Sequence, residues 1–199
     1  GHIHCVDPST AINIAQKNLQ NLSNCSFHQC TISDMPFKDN SMDFGYSLGV
    51  LHHIPDTQRG IDDCVRKLKP GAPFLVYLYY AFDNQPFWFR WIWRISDIIR
   101  RLVSQFPQPV KYVVTQMIAG AVYWPMARMA KVLEKIGMSV HSWPLSAYRD
   151  NSFYSMRTDA LDRFGTKLEH RFTKQEIQSM MEKSGLEHIK FSQKTPFWC

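Results

Sequence analysis

No hydrophobic run in the 199-residue sequence is long enough to cross a bilayer. The most apolar stretches are broken by arginines or reach about fifteen residues, where roughly twenty are needed. The five cysteines, at 5, 25, 30, 64 and 199, are odd in number and include no C-x-x-C pair. That argues against a disulfide scaffold and against a zinc site, and it fits a reducing, cytoplasmic setting. Charge of one sign is also modest. Lys and Arg number 23 against 17 Asp and Glu, a net +6, and the arginines gather at 90–101. A nucleic-acid-binding protein would spread them along a basic stripe, so no nucleic-acid partner is expected. Repeats and low-complexity tracts are missing too, and the length suits one domain with an insertion.

What is present centres on residues 41–56, SMDFGYSLGVLHHIPD. The alternation from Met42 to Leu48 predicts a strand that breaks at Gly49, where a backbone without Cβ can approach a ligand closely. Pro55 and Asp56 stand where a new helix favours proline and an acid. Small ligands of open α/β sheets bind beyond the C-terminal ends of the strands, and this turn lies at such an end.

The flanking segments extend the pattern. His2–Val6 alternates as a strand that ends in Asp7, and Ser9 or Thr10 can cap a helix carrying Ile12, Ala15 and Leu19. An acid at a strand tip can accept two hydrogen bonds from a ribose diol, or it can simply help to cap the helix. A short strand is expected at Ser26–Cys30 and a helix at Asp56–Leu68, stopped by Lys69-Pro70-Gly71. Pro73–Tyr80, PFLVYLYY, reads as a strand buried on both faces. This order predicts a mostly parallel α/β sheet with helices on both faces.

Three pieces, HCVDPS, CTISDMPFKDNSMDFGYSLGVLHHIPD and CVRKLKPGAPFLVY, together with RFTKQEIQSMMEKSGLEHIKF at 171–191, resemble the class I S-adenosylmethionine-dependent methyltransferases. The resemblance is to the broad group that includes the ubiquinone and menaquinone C-methyltransferases. It implies a Rossmann-like fold whose core spans 1–80 and 171–199, with a helical and loop insertion at 81–170 serving as lid and substrate-binding region. It also implies that the glycine-rich loop lies before residue 1, and that the last antiparallel strand starts at PFWC. A piece clipped at both ends would bind S-adenosylmethionine poorly, so the expected activity is that of the parent protein.

By the same resemblance, Asp7 would hold the ribose hydroxyls of the cofactor, with Pro8 and Ser9 beside the adenine. Thr31 and Ile32 would meet the adenine edge, Thr31 offering a hydroxyl where many relatives have Asp. Leu48, Gly49 and Val50 would lie along the methionyl side. Methyl transfer from a sulfonium asks the protein to align the reactants, exclude water and, where needed, accept a proton. His52 and His53 are the titratable pair beside this turn, and an ordinary imidazole, at ~6.5, suits that last task. Adjacent side chains point apart, so one of them at most faces the acceptor; His53 is preferred. The alternative is that the pair holds the turn. No third residue stands at a metal-ligand spacing.

The insertion has its own character. In FDNQPFWFRWIWRISDIIRRLVSQF, 82–106, one broad helical face is apolar and the other carries Arg90, Arg94, Asp97 and Arg101. A second helical stretch, Val110–Trp124, is interrupted at Pro125 and resumes to Ile136. Both helices would pack over the sheet edge and cover the active site; alternatively the Trp/Arg helix also rests peripherally on a membrane surface. Ser146–Gly165 lacks clean periodicity and reads as a loop. Its Tyr148, Tyr154, Arg157 and Arg163, with His170 beyond, are the candidates to face the acceptor. The arginines would suit a carboxylate, phosphate or sugar acid. The acceptor would be a small molecule, lipid-linked or a sugar. Two other readings stand beside methyl transfer: a non-catalytic methyltransferase-like binding protein, and a nucleotide-dependent oxidoreductase.

Overall fold

A computed structural model of the chain describes residues 1–83, 85–140 and 143–193. The expected strand at PFWC lies outside the described residues. The chain forms two compact units, one of residues 1–81 and 170 onward, the other Phe82–Glu169.

The first unit is α/β and contains two successive βαβ crossovers. Strand β1 (Ile3–Val6) leads through α1 (Ala11–Asn18) to β2 (Cys25–His28), and the strands pair in parallel with Ile3 opposite Cys25. Strand β3 (Gly45–Leu48) leads through α2 (Thr57–Lys67) to β4 (Phe74–Tyr77), again parallel, with Gly45 opposite Phe74. This Rossmann-like arrangement matches the predicted order, with strands shorter than their apolar runs. One expectation is corrected. The four strands form two separate two-stranded ladders, not one sheet, because no described strand lies between them.

Helix α2 starts where Asp56 accepts a hydrogen bond from the Arg59 N–H, a side-chain cap on an otherwise orphaned donor. Its Ile61 is fully buried with Leu51, Val76, Leu78 and Ile177. Ile177 belongs to α7 (Lys174–Lys183), whose start is fixed by a reciprocal pair between Thr173 and Glu176. No strand follows α7 within the described residues. The core therefore lies on the face of β3–β4 that carries Val76. The opposite face is open: Tyr46 is 61%, Leu48 48% and Leu75 39% exposed. Burial of β4 on both faces is thus corrected to burial on one, since α2 and α7 cover a single side.

The second unit is helical. Helices α3 (Phe87–Val103), α4 (Gln108–Ile118), α5 (Trp124–Lys135) and α6 (Phe153–Gly165) enclose Val103, Ala119, Tyr123, Ala127, Met156, Ala160 and Phe164. Pro125 does not interrupt the second helical stretch. A π turn at Ala119–Tyr123 precedes it, and Pro125 sits in the first turn of α5, where its missing N–H costs little. The segment predicted as a loop, 146–165, is mostly helix α6. Ser152 caps it by accepting from Ser155 N–H, and Met156, Ala160 and Phe164 form a narrow buried stripe four residues apart.

Candidate active site at the C-terminal ends of the parallel strands

The tips of β1 and β3 carry the residues that the sequence singles out. Asp7 follows β1 directly, and its N–H donates to the His28 carbonyl at 3.2 Å, continuing the ladder by one bond. One carboxylate oxygen accepts from the Ser9 N–H at 2.7 Å and from the Ser9 hydroxyl at 2.5 Å. The Ser9 hydroxyl in turn accepts from Ala11 N–H. Asp7 thus shapes the entry to α1, and its second oxygen makes no hydrogen bond among the described residues. Pro8 completes this turn.

Beyond β2, Thr31 and Ile32 enter a 3-10 turn at Ile32–Asp34. The Thr31 hydroxyl donates to the Asp34 carboxylate at 2.5 Å. Ile32 packs against the buried cluster around Leu51. Ser33 donates to Asp63 of α2 at 2.8 Å, and Asp63, only 6% exposed, also accepts from Arg66. Asp34 was not singled out from the sequence; its spacing three residues after Thr31 is the signal that could have found it.

At the end of β3, Gly49 has φ +74°, in the left-handed region, and its N–H donates to the Tyr77 carbonyl at 3.0 Å. A Cβ added there would meet only a Tyr77 ring carbon, at 4.0 Å. The glycine is therefore required by backbone conformation, and it leaves the space above the strand end open. Leu48 and Val50 on either side are each 48% exposed.

Leu51–His53 form one 3-10 turn, and the two imidazoles part company there. His52 is fully buried and stacks on Tyr79 with centroids 3.7 Å apart, while His53 is half-buried, 4.1 Å from the His52 ring. Burial pushes the His52 pKa down to about 3, and the charges of His53, Arg171 and His170 act in the same direction. His52 is thus neutral at neutral pH. Neither of its ring nitrogens has a hydrogen-bond partner among the described residues, nor does Nε2 of His170.

The segment before α7 closes this cluster. His170 N–H donates to the His52 carbonyl at 2.9 Å. Arg171 lies over the Tyr79 ring at 4.9 Å and donates to the Tyr80 carbonyl at 3.2 Å. His170 is therefore brought to the histidine turn, whereas Asp7 and Thr31 sit at the ends of the other ladder. Tyr79 and Arg171 were not picked out from the sequence, because a tyrosine in an apolar run reads as core.

The four remaining acceptor candidates belong to the helical unit, and the side chains of three of them have partners inside it. Tyr148 meets Tyr123 edge-on at 5.3 Å. Arg157 donates to Gln116 and, at 2.8 Å, to the Tyr112 hydroxyl. Arg163 pairs with the buried Glu169 and lies 5.8 Å over the Trp93 ring. Tyr154 is 76% exposed.

Asp7 and Gly49 fit a nucleoside cofactor of the expected kind on two observations: an unengaged carboxylate oxygen at one strand tip and unobstructed backbone at another. Comparison with known proteins finds the following similarities. Residues 1–76 match the family described as Methyltransferase domain. An 81-residue stretch, 39% of the chain, is 30% identical to phosphoethanolamine N-methyltransferase 2 of Caenorhabditis elegans and spans 18% of that protein. A 53-residue stretch, 27% of the chain, is 34% identical to the sterol 4-C-methyltransferase strm-1 of the same organism and spans 16% of it. The chain thus matches less than a fifth of the length of either curated relative. The solved structure of the YcgJ protein from Bacillus subtilis aligns over 98% of this chain and 75% of its own, with 16% identity and a TM-score of 0.42. Residues 1–76 are thus similar to a methyltransferase domain family whose methyl donor is S-adenosylmethionine.

Proposed function

We propose that the full-length protein is an S-adenosylmethionine-dependent methyltransferase of the group that includes the ubiquinone and menaquinone C-methyltransferases, acting in the cytoplasm on a small-molecule acceptor. The observation that carries this reading is Gly49. Its left-handed backbone opens the end of β3 inside the stretch that matches the methyltransferase domain, with the histidine pair immediately after it.

In this reading Asp7 binds the ribose diol through its unengaged oxygen, with Pro8 and Ser9 beside the base. Thr31 and Ile32 meet the adenine edge, where the Thr31 hydroxyl, already donating to Asp34, can still accept a hydrogen bond from an exocyclic amine. Leu48, Gly49 and Val50 flank the methionyl portion. S-adenosylmethionine, when bound, supplies a methyl group already activated on a sulfonium. The protein's remaining work is alignment, exclusion of water and proton removal. His53, the half-buried member of the pair, is the group that takes the acceptor's proton. His52 holds the turn through its stack on Tyr79 and its carbonyl bond to His170.

The acceptor class follows from chemistry and from the relatives. Among the acceptor candidates, His170 stands beside the histidine turn, and in the helical unit Tyr148 and Tyr154 carry hydroxyls and Arg157 and Arg163 guanidinium groups of the kind that binds an anionic or polyol molecule. Two relatives are named for phosphoethanolamine and sterol methylation. A lipid, a lipid-linked precursor or a sugar derivative fits both. Titration calorimetry of the full-length protein with S-adenosylmethionine tests the proposal: saturable binding that Asp7→Asn weakens is expected, and no detectable heat or thermal shift would overturn it.

A further inference from the structure

Helix α3 turns a broad apolar arc outward. At 100° per residue, an uninterrupted apolar arc about 140° wide runs from Phe87 round to Ile92 and takes in Trp88, Trp91, Ile95 and Ile98. An amphipathic helix of a soluble protein turns such an arc inward. Here it faces out. Phe87 is 70%, Trp91 60%, Ile95 58% and Ile98 59% exposed. The face turned inward carries Asp97 and Arg100, 7% and 3% exposed and joined by a 2.8 Å bond. Arg100 also donates to the Thr166 and Lys167 carbonyls, just past the end of α6. That face thus combines this polar network with Val103 of the helical core and with Phe89 and Trp93 beside Phe82, while the apolar arc stays exposed.

The charges of α3 say what covers the arc. Its single acid, Asp97, is buried, so every exposed charge on the helix is an arginine: Arg90, Arg94 and Arg101. They line one edge of the arc, spanning about 40° next to Phe87 at 100° per residue. Arg94 lies 5.3 Å over the Trp91 ring, and Arg101, paired with Asp97, keeps its side chain 71% exposed. An apolar face with tryptophans at one end and a purely cationic edge is complementary to an anionic bilayer surface: the rings and aliphatic side chains enter the acyl boundary and the guanidinium groups meet headgroup phosphates. No helix of the described residues is long and apolar enough to cross a membrane, so α3 would lie in the interface rather than span it.

We propose that the outward face of α3 docks the protein on an anionic lipid surface. The proposal is independent of methyl transfer, and its test reads binding alone. The intact protein is sedimented with neutral phosphatidylcholine vesicles and with vesicles containing about a third phosphatidylglycerol. At low salt, binding to the anionic vesicles is expected to be at least about tenfold stronger. Trp91→Glu combined with Ile95→Glu should abolish binding to both. Replacing Arg90, Arg94 and Arg101 by Gln should erase the preference for anionic lipid. These positions are exposed, and unchanged circular dichroism would confirm that the variants fold. Bromine-labelled lipid, which quenches tryptophan fluorescence on contact, gives a second measurement on the unaltered protein. The proposal fails if anionic vesicles neither bind nor quench, or if binding ignores the double substitution. It fails equally if the unaltered protein self-associates without binding vesicles and the double variant is monomeric, since a second copy then covers the face.

Discussion

The imidazole of His52 is stacked 3.7 Å from the ring of Tyr79, fully buried, with neither nitrogen hydrogen-bonded among the described residues. Such a ring is kept neutral by its surroundings. Its pKa is near 3 in the folded chain, pushed down by burial and by the neighbouring His53, Arg171 and His170 charges. In the unfolded chain it returns to ~6.5. The unfolded state therefore takes up a proton that the folded state refuses. This contribution to stability is intact above about pH 6.5 and declines as pH falls toward 3, by about 2 kcal/mol at pH 5. His52→Phe keeps an aromatic ring against Tyr79 and cannot titrate. Denaturant unfolding at pH 7 and pH 5 should show a smaller acid loss in this variant than in the parent, by roughly that amount; equal losses would show that His52 does not set the acid limit.

Asp7 carries two duties on two oxygens. Asp7→Asn retains an acceptor for Ser9 and removes the negative charge offered to a diol, so fold stability should change little. Charge-assisted hydrogen bonds are worth about 1.5–3 kcal/mol. S-adenosylmethionine affinity of the full-length protein should therefore fall by about ten- to a hundredfold, read by calorimetry.

Gly49→Ala separates conformation from contact. The added methyl meets nothing closer than 4.0 Å, so the cost lies in holding a non-glycine residue at φ +74°. That strain amounts to roughly 1 kcal/mol in unfolding experiments. A loss of cofactor affinity well beyond the stability loss would mark the backbone here as a ligand contact.

Asp97 sits under α3, where burial raises its pKa but hydrogen bonds from Arg100 and Arg101 outweigh this and leave it lowered. Asp97→Ala strands the buried Arg100 guanidinium without its carboxylate. Breaking a buried pair from one side costs about 3–5 kcal/mol, and a loss of that order should appear in chemical denaturation. A double change, Asp97→Leu with Arg100→Met, should recover part of it.

Both βαβ units could be read from the sequence, because their signals are local: Asp56 as cap, the Lys-Pro-Gly stop, apolar alternation into Gly49. Helix α6 escaped because its buried face is only one residue wide, Met156, Ala160 and Phe164, among polar and aromatic neighbours that pack elsewhere. The orientation of α3 could not be inferred either. Its apolar arc predicts an inward face, and the preference of Arg100 for the carbonyls beyond α6 is a tertiary fact. The divergence of His52 and His53 was foreseeable from adjacent positions; which of them would be buried depended on Tyr79, fixed by the end of β4. For Asp7, the helix-entry role is visible in its bonds to Ser9, and the diol role rests on the oxygen left over.

With two strands per ladder, each of β1 to β4 has a flank of amide groups that no other described strand satisfies. The two ladders are not equally supported, however. Behind β3 and β4 lie Val76, Leu78, Ile61 and Ile177, whereas Ile3 of β1 is 45% exposed and Ile12 is the one buried residue of α1. Short two-stranded ladders are marginal on their own, so deuterium uptake at residues 3–6 and 25–28 should outpace that at 45–48 and 74–77. The arm bearing Asp7 would then be the more yielding half of the proposed cofactor edge, and a ligand that engages it should slow exchange there first.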